Sequence, residues 1–253
     1  MQRRVKMEKE NKKDKKKGTA YVSALSNPFS TGGGGVDFEY RVQAAFILVL
    51  LINGITPLRK LPITSLIFQG KRKGYDIDDV IVKSSSATKS PKLLCQIKRG
   101  ITIGENKTFK EVIVSAWSDF NKTDFDENTD RIVLISGINQ KADVLRFIYD
   151  QANSASSTLD FMDRLNRPYY SNEANRKALN TIRKYLVKAN ENRDISDEQL
   201  WKFCKVFTIL VFDLDYESSI NEFLIQNLIA SNCKIAPGLV WARLFDYAAR
   251  CDK

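Results

Sequence analysis

Histidine is absent from all 253 residues of the chain. That absence excludes every catalytic triad, zinc centre and acid–base scheme that depends on an imidazole. Catalysis, if any, has to come from carboxylates, lysine or a metal held by oxygen. Cysteine is scarce: Cys95, Cys204, Cys233 and Cys251 lack the paired spacing of a thiolate zinc site or a disulfide framework. This usage suits a reducing cytoplasm. Long apolar runs are missing as well. The longest, Ala44 to Ile52, falls short of the roughly 18 residues of a membrane span and reads as a buried helix. The first residues are rich in lysine where a secretory signal would be apolar. The expected location is therefore cytoplasmic, with no membrane partner.

What the chain does have is enough apolar residue, 43%, to bury a core, in one large domain or a domain with an appendage. The net charge of +10 is concentrated at the start, where residues 1–17 hold nine Lys or Arg against Glu8, Glu10 and Asp14. Residues 1–18 read as a disordered basic tail, able to attach loosely to a polyanion through counterion release. Residues 19–35 read as a flexible approach. Gly32 to Gly35 invite a phosphate-loop reading, but no Gly-Lys-Ser/Thr follows and no strand precedes, so a hinge is expected there.

From Val36 the pattern VDFEYRVQAAFILVLLI has helical spacing and turns apolar nearly all round after Gln43. Pro57 and Pro62 break the chain before a strand at 63–70. Val80, Ile81 and Val82 mark a second strand entered directly from Asp78 and Asp79. The Ser-rich turn SSSATKSPK leads into KLLCQIKRG, a hairpin signal. A helix at 109–120 and a strand at 131–137 follow, then a charged helical region from Lys141 to Asn192 with a loop at Asn166 to Tyr170. A last strand is expected at 205–215, with helices at 217–231 and 237–250. This order defines an α/β class, with a core at 19–145 and a mostly helical extension packed on it at 146–253.

LLCQIKRG poses the chemical question. On a strand, Gln96 and Lys98 project from one face and Cys95 and Ile97 from the other. With Asp78 and Asp79 at the mouth of the neighbouring strand and Glu39 on the preceding helix, carboxylates, an amide and an amine can converge. Two acids and one carbonyl suffice for Mg²⁺, which takes oxygen ligands and keeps several waters. A metal so held lowers the pKa of bound water and stabilises charge on a phosphate, beside a lysine that neutralises the transition state. Taken singly, the same residues have plainer uses: an acidic turn or cap for the aspartates, a helix-dipole partner for Glu39, an edge-strand gatekeeper for Lys98. Lys71, Arg72 and Lys73 either contact phosphates or face water. Trp117, Trp201 and Trp241 read as core or interface residues.

The order Glu39, then Asp78 and Asp79, then QIK at 96–98 resembles the PD-(D/E)xK restriction-endonuclease-like nucleases. Within them, GGGGVDFEYRVQAAF, GYDIDDVIV, LLCQIKRG and FKEVIVSAW are similar to the double-stranded DNA endonuclease domains of bacterial antiphage systems, found on cyclic-oligonucleotide-activated effectors and at the N-termini of STAND-type NTPase sensors. The motifs cover residues 32–120. The resemblance implies a restriction-endonuclease-like core, a central mixed sheet flanked by helices. It implies a bacterial Mg²⁺- or Mn²⁺-dependent DNA endonuclease of low sequence specificity, with Glu39, Asp78, Asp79, Gln96 and Lys98 catalytic. Asp79, Gln96 and Glu39 would hold the metal, and Lys71, Arg72, Lys73 and Arg99 would contact DNA. It further implies self-association, or fusion to a sensor or oligomerisation module. The chain departs from the pattern in having Gln96 for the middle acid, which the family accepts, and no proline before the aspartates. Assignment among Asp76, Asp78 and Asp79 therefore stays open, with Asp79 favoured because it leads straight into Val80. The rival expectations are an RNase with the same core, and a non-catalytic nucleic-acid- or protein-binding module on a degenerate nuclease fold.

Overall fold

A strand that is apolar on both faces needs cover on both, and LLCQI and RIVLIS are such strands. The computed structural model describes residues 33–58, 60–85, 90–214 and 219–251; the basic tail and the approach up to residue 32 lie outside them. From Asp37 to Lys253 the chain is one compact unit; of the other unit, Met1–Val36, only residues 33–36 are described. Helix α1 (Gly33–Leu51) starts at Gly33, so Gly33 to Gly35 are helical and not hinge. Next come β1 (Ile63–Phe68), a 3-10 turn (Gly70–Lys73), β2 (Val80–Ser84), β3 (Lys92–Ile97), α2 (Lys107–Phe120) and β4 (Arg131–Ser136). Then follow α3 (Ala142–Ser154), α4 (Thr158–Asn166), α5 (Glu173–Ala189), α6 (Asp197–Val206), β5 (Phe207–Val211), α7 (Ile220–Asn232) and α8 (Pro237–Cys251).

Among the described residues the strands form one mixed sheet in the order β1-β2-β3-β4-β5. The first three are antiparallel, while β3, β4 and β5 run parallel. Strand parity sorts the core into two layers. Leu93, Cys95, Ile97, Val133 and Ile135 face α1, α7 and α8, joined by Phe38, Ile229 and Trp241. Leu94, Ile132, Leu134 and Ile209 face α2 to α6, joined by Phe109, Phe161 and Phe203. Each such side chain contributes roughly 1.5–3 kcal/mol when fully buried. The class is thus α/β with helices on both faces and a helical C-terminal part that returns one strand, β5, to the sheet.

Two strand boundaries differ from expectation. β1 stops at Phe68 because Gln69 takes a left-handed conformation (φ 54°) and opens the 3-10 turn. Lys205 and Val206 end α6 and do not begin β5. The apolar run KVFTILVF has no glycine or proline to mark that junction. The signal for α6 lies upstream, in the capping box where the Ser196 hydroxyl accepts the Gln199 N–H and the Gln199 side chain accepts the Ser196 N–H. Among the described residues no helix is long and apolar enough to cross a membrane. Trp117 and Trp241 are buried, and the Trp201 indole donates to the Ala152 carbonyl (2.8 Å).

Candidate functional site

Val80 on β2 pairs with Cys95 on β3, and this register sets Asp79 beside Gln96 and Ile97. One oxygen, Asp79 Oδ2, accepts from the Gln96 amide (2.5 Å) and from the Ile97 N–H, and lies 3.8 Å from Lys98 Nζ. An amide in the middle of a buried strand has to be paired, and Asp79 is its partner. β3 is the central strand, so Lys98 is not an edge-strand lysine. Its N–H donates to the Ile135 carbonyl (2.8 Å), and its half-exposed side chain turns to Asp79. Burial pushes the Asp79 carboxyl above the usual carboxylate range. The Lys98 ammonium, the Ile97 N–H and the Gln96 amide act against this shift, and the neighbouring Asp78 charge adds to it.

Asp78 is held differently. Its Oδ1 accepts the Lys71 N–H (3.0 Å), its Oδ2 pairs with Lys71 Nζ (3.1 Å), and its carbonyl accepts the Gly70 N–H (2.6 Å). The 3-10 turn is clipped onto the strand entrance so closely that a Cβ at Gly70 would lie 2.4 Å from the Ile77 carbonyl oxygen. Glycine is required there. The turn brings Lys71 and Arg72 to a cleft of 410 Å³ that Glu39, Gln69, Asp78 and Asp79 also line. Lys73 is exposed on the same turn, and the Arg99 carbonyl accepts the Gly137 N–H (3.0 Å) beyond β3. Glu39, on the first turns of α1, accepts from Gln43 Nε2 (3.1 Å).

Of the three aspartates before β2, Asp76 is directed elsewhere. Its carboxylate accepts from Lys122 Nζ (2.7 Å) and the Ser118 hydroxyl (2.7 Å), and the Lys122 bond holds its pKa below the ordinary value. Behind it lies a residue that the sequence reading overlooked. Asp119 on α2 has a fully buried side chain that accepts the Asp76 N–H (2.9 Å), the Ile77 N–H (2.7 Å) and the Lys122 ammonium. It anchors the segment that delivers Asp78 and Asp79. The signal was present in FKEVIVSAWSDF, where Asp119 falls on the apolar stripe of Phe109, Val112, Ile113 and Ala116.

Among the described residues no three acidic, histidine or cysteine side chains form a group able to hold a metal ion unaided. The cleft is lined by three separate carboxylates, Glu39, Asp78 and Asp79, with Lys71 and Arg72 on the same walls. Carboxylate oxygens are the ligand type that Mg²⁺ and Mn²⁺ take, with several positions left to water or substrate. Chemically, the arrangement can place a phosphate between cations and carboxylates. Comparison of the chain with protein-family models, with curated proteins and with solved structures gives no match.

Proposed function

We propose that the protein is a metal-dependent DNA endonuclease with a restriction-endonuclease-like core, cutting duplex DNA with little sequence preference as an effector of bacterial antiphage defence. The observation that supports this reading is the convergence of Gln96 and Lys98 on one oxygen of Asp79, a residue that also lines the cleft with Glu39. The three come from a single hairpin, in the order of the motif.

In this reading Glu39, Asp79 and the Gln96 carbonyl hold a divalent cation, which when bound supplies Lewis acidity and a water of lowered pKa. The chain's own residues do the rest. Lys98 places a positive charge where negative charge grows on the scissile phosphate, an interaction stronger in the transition state than before it. Lys71 and Arg72, with Lys73 and Arg99, bind neighbouring phosphates without reading sequence. Cutting both strands takes a site on each, so two copies of the chain act together.

Supercoiled plasmid and structured RNA, each incubated with the purified protein in Mg²⁺, Mn²⁺ or EDTA, test the reading. Nicked and linear plasmid are expected with either metal, none with EDTA, and intact RNA throughout. Plasmid left whole at every metal concentration, or RNA degraded in preference to DNA, overturns it.

A further inference from the structure

Gln43 is the most deeply buried polar residue of α1, with no exposed surface, flanked by Val42, Ala44 and Ala45. A buried amide is tolerated when its donors and acceptor are paired. Here only one end is. Nε2 donates to Glu39 Oε1 (3.1 Å), one turn back, and makes a longer contact with the Asp79 carbonyl oxygen (3.5 Å). Oε1 has no donor among the described residues. For stability alone an apolar side chain of the same length would serve as well, because it would remove a buried acceptor that nothing satisfies. What it would lose is the link between a carboxylate on α1 and the backbone of Asp79 at the mouth of β2.

We infer that Gln43 is a positioning residue, holding the Glu39 carboxylate toward Asp79 so that the two acids address one divalent cation; this rests on the endonuclease reading above. Glu39 sits on a helix and Asp79 at a strand entrance, and both line the same cleft. Gln43 touches the Glu39 carboxylate and the Asp79 backbone carbonyl. Its two amide hydrogens allow it to serve the carboxylate and the carbonyl together. Residues that orient ligands in this way typically change metal affinity by about 10- to 100-fold when removed.

The test uses the full chain and reads binding separately from cutting. Mn²⁺ affinity is measured by calorimetry, thermal unfolding without metal, and plasmid cleavage across a Mg²⁺ titration, for the parent, Gln43→Met, Gln43→Asn and Glu39→Gln. In Gln43→Met the melting temperature is expected to hold or rise. Mn²⁺ binding should weaken about tenfold, and the Mg²⁺ midpoint for cleavage should rise while the rate at saturating Mg²⁺ stays near parental. Gln43→Asn, whose amide is too short to reach Glu39, should weaken Mn²⁺ binding likewise. Adding Gln43→Met to Glu39→Gln should weaken it little further, because Gln43 acts through Glu39. Parental Mn²⁺ affinity in Gln43→Met, with an active parent, overturns the positioning role alone. So does a Gln43→Met chain that unfolds while Gln43→Asn binds Mn²⁺ as the parent does. A parent that neither binds Mn²⁺ nor cuts overturns the endonuclease reading and the positioning role with it.

Discussion

Lys98→Ala is expected to cut plasmid DNA at least about a hundredfold more slowly than the parent, a loss of about 2.7 kcal/mol in transition-state stabilisation, and to unfold at nearly the same temperature. The two halves have separate physical grounds. Lys98 stands one residue past the end of β3 with its side chain half exposed, so its removal leaves no cavity, and its backbone bond to Ile135 survives. A partly exposed ion pair at 3.8 Å contributes at most about 1 kcal/mol to folding. In the proposed reaction the same charge would act on negative charge developing at the scissile phosphate, where it would count for far more. The variant also deprives Asp79 of a main influence holding its carboxyl down against burial, which compounds the loss. Cleavage at the parental rate by a folded Lys98→Ala protein would show that the site is not the one proposed.

Asp119→Ala should be the most damaging single substitution for stability, lowering it by about 3–5 kcal/mol. The carboxylate is completely buried and has three donors, two of them backbone N–H groups of Asp76 and Ile77. Alanine would leave those buried N–H groups without a partner, each a desolvation penalty, and would remove one of the two carboxylates that hold the Lys122 ammonium, which keeps Asp76 and the Gly74 carbonyl. By contrast Asp76→Ala removes a half-exposed carboxylate and should cost about 1 kcal/mol or less. Urea unfolding of both variants checks the contrast. Similar midpoints for the two would mean that Asp119 does not anchor the loop.

Strand parity and the hairpin signal made the central geometry readable in the sequence. Asp79 enters one strand, Gln96 lies on the next and Lys98 just past its end, and an antiparallel register brings them level. What the chain alone does not reveal is which aspartate points where. Asp76, Asp78 and Asp79 look alike in a linear string, and the choice is made by Asp119 at the end of α2, by Lys122 just past it, and by the turn at Lys71. Gln43 and Asp119 share one signature: a polar residue on a helix face whose neighbours are apolar. Such a residue announces a buried partner without saying what it is. The junction of α6 and β5 was hidden for the opposite reason, since Val206 and Phe207 meet there with no glycine or proline nearby and tertiary packing decides where helix gives way to strand.

Sheet order that copies chain order bears on how the molecule is assembled. A new strand can always join at the free edge, and no earlier pairing has to open to admit it. The β2–β3 hairpin that carries Asp79, Gln96 and Lys98 needs only its own short stretch of chain, so its closure is fast. The β4–β5 pairing joins Ile132 to Phe207 across four helices and has to wait for them. In refolding followed by pulsed hydrogen exchange, amides of β2 and β3 should gain protection before those of β5, and simultaneous protection would contradict this order. The chain then forms the hairpin of the candidate site while the far border of the sheet is still open, and its last step is to close that border.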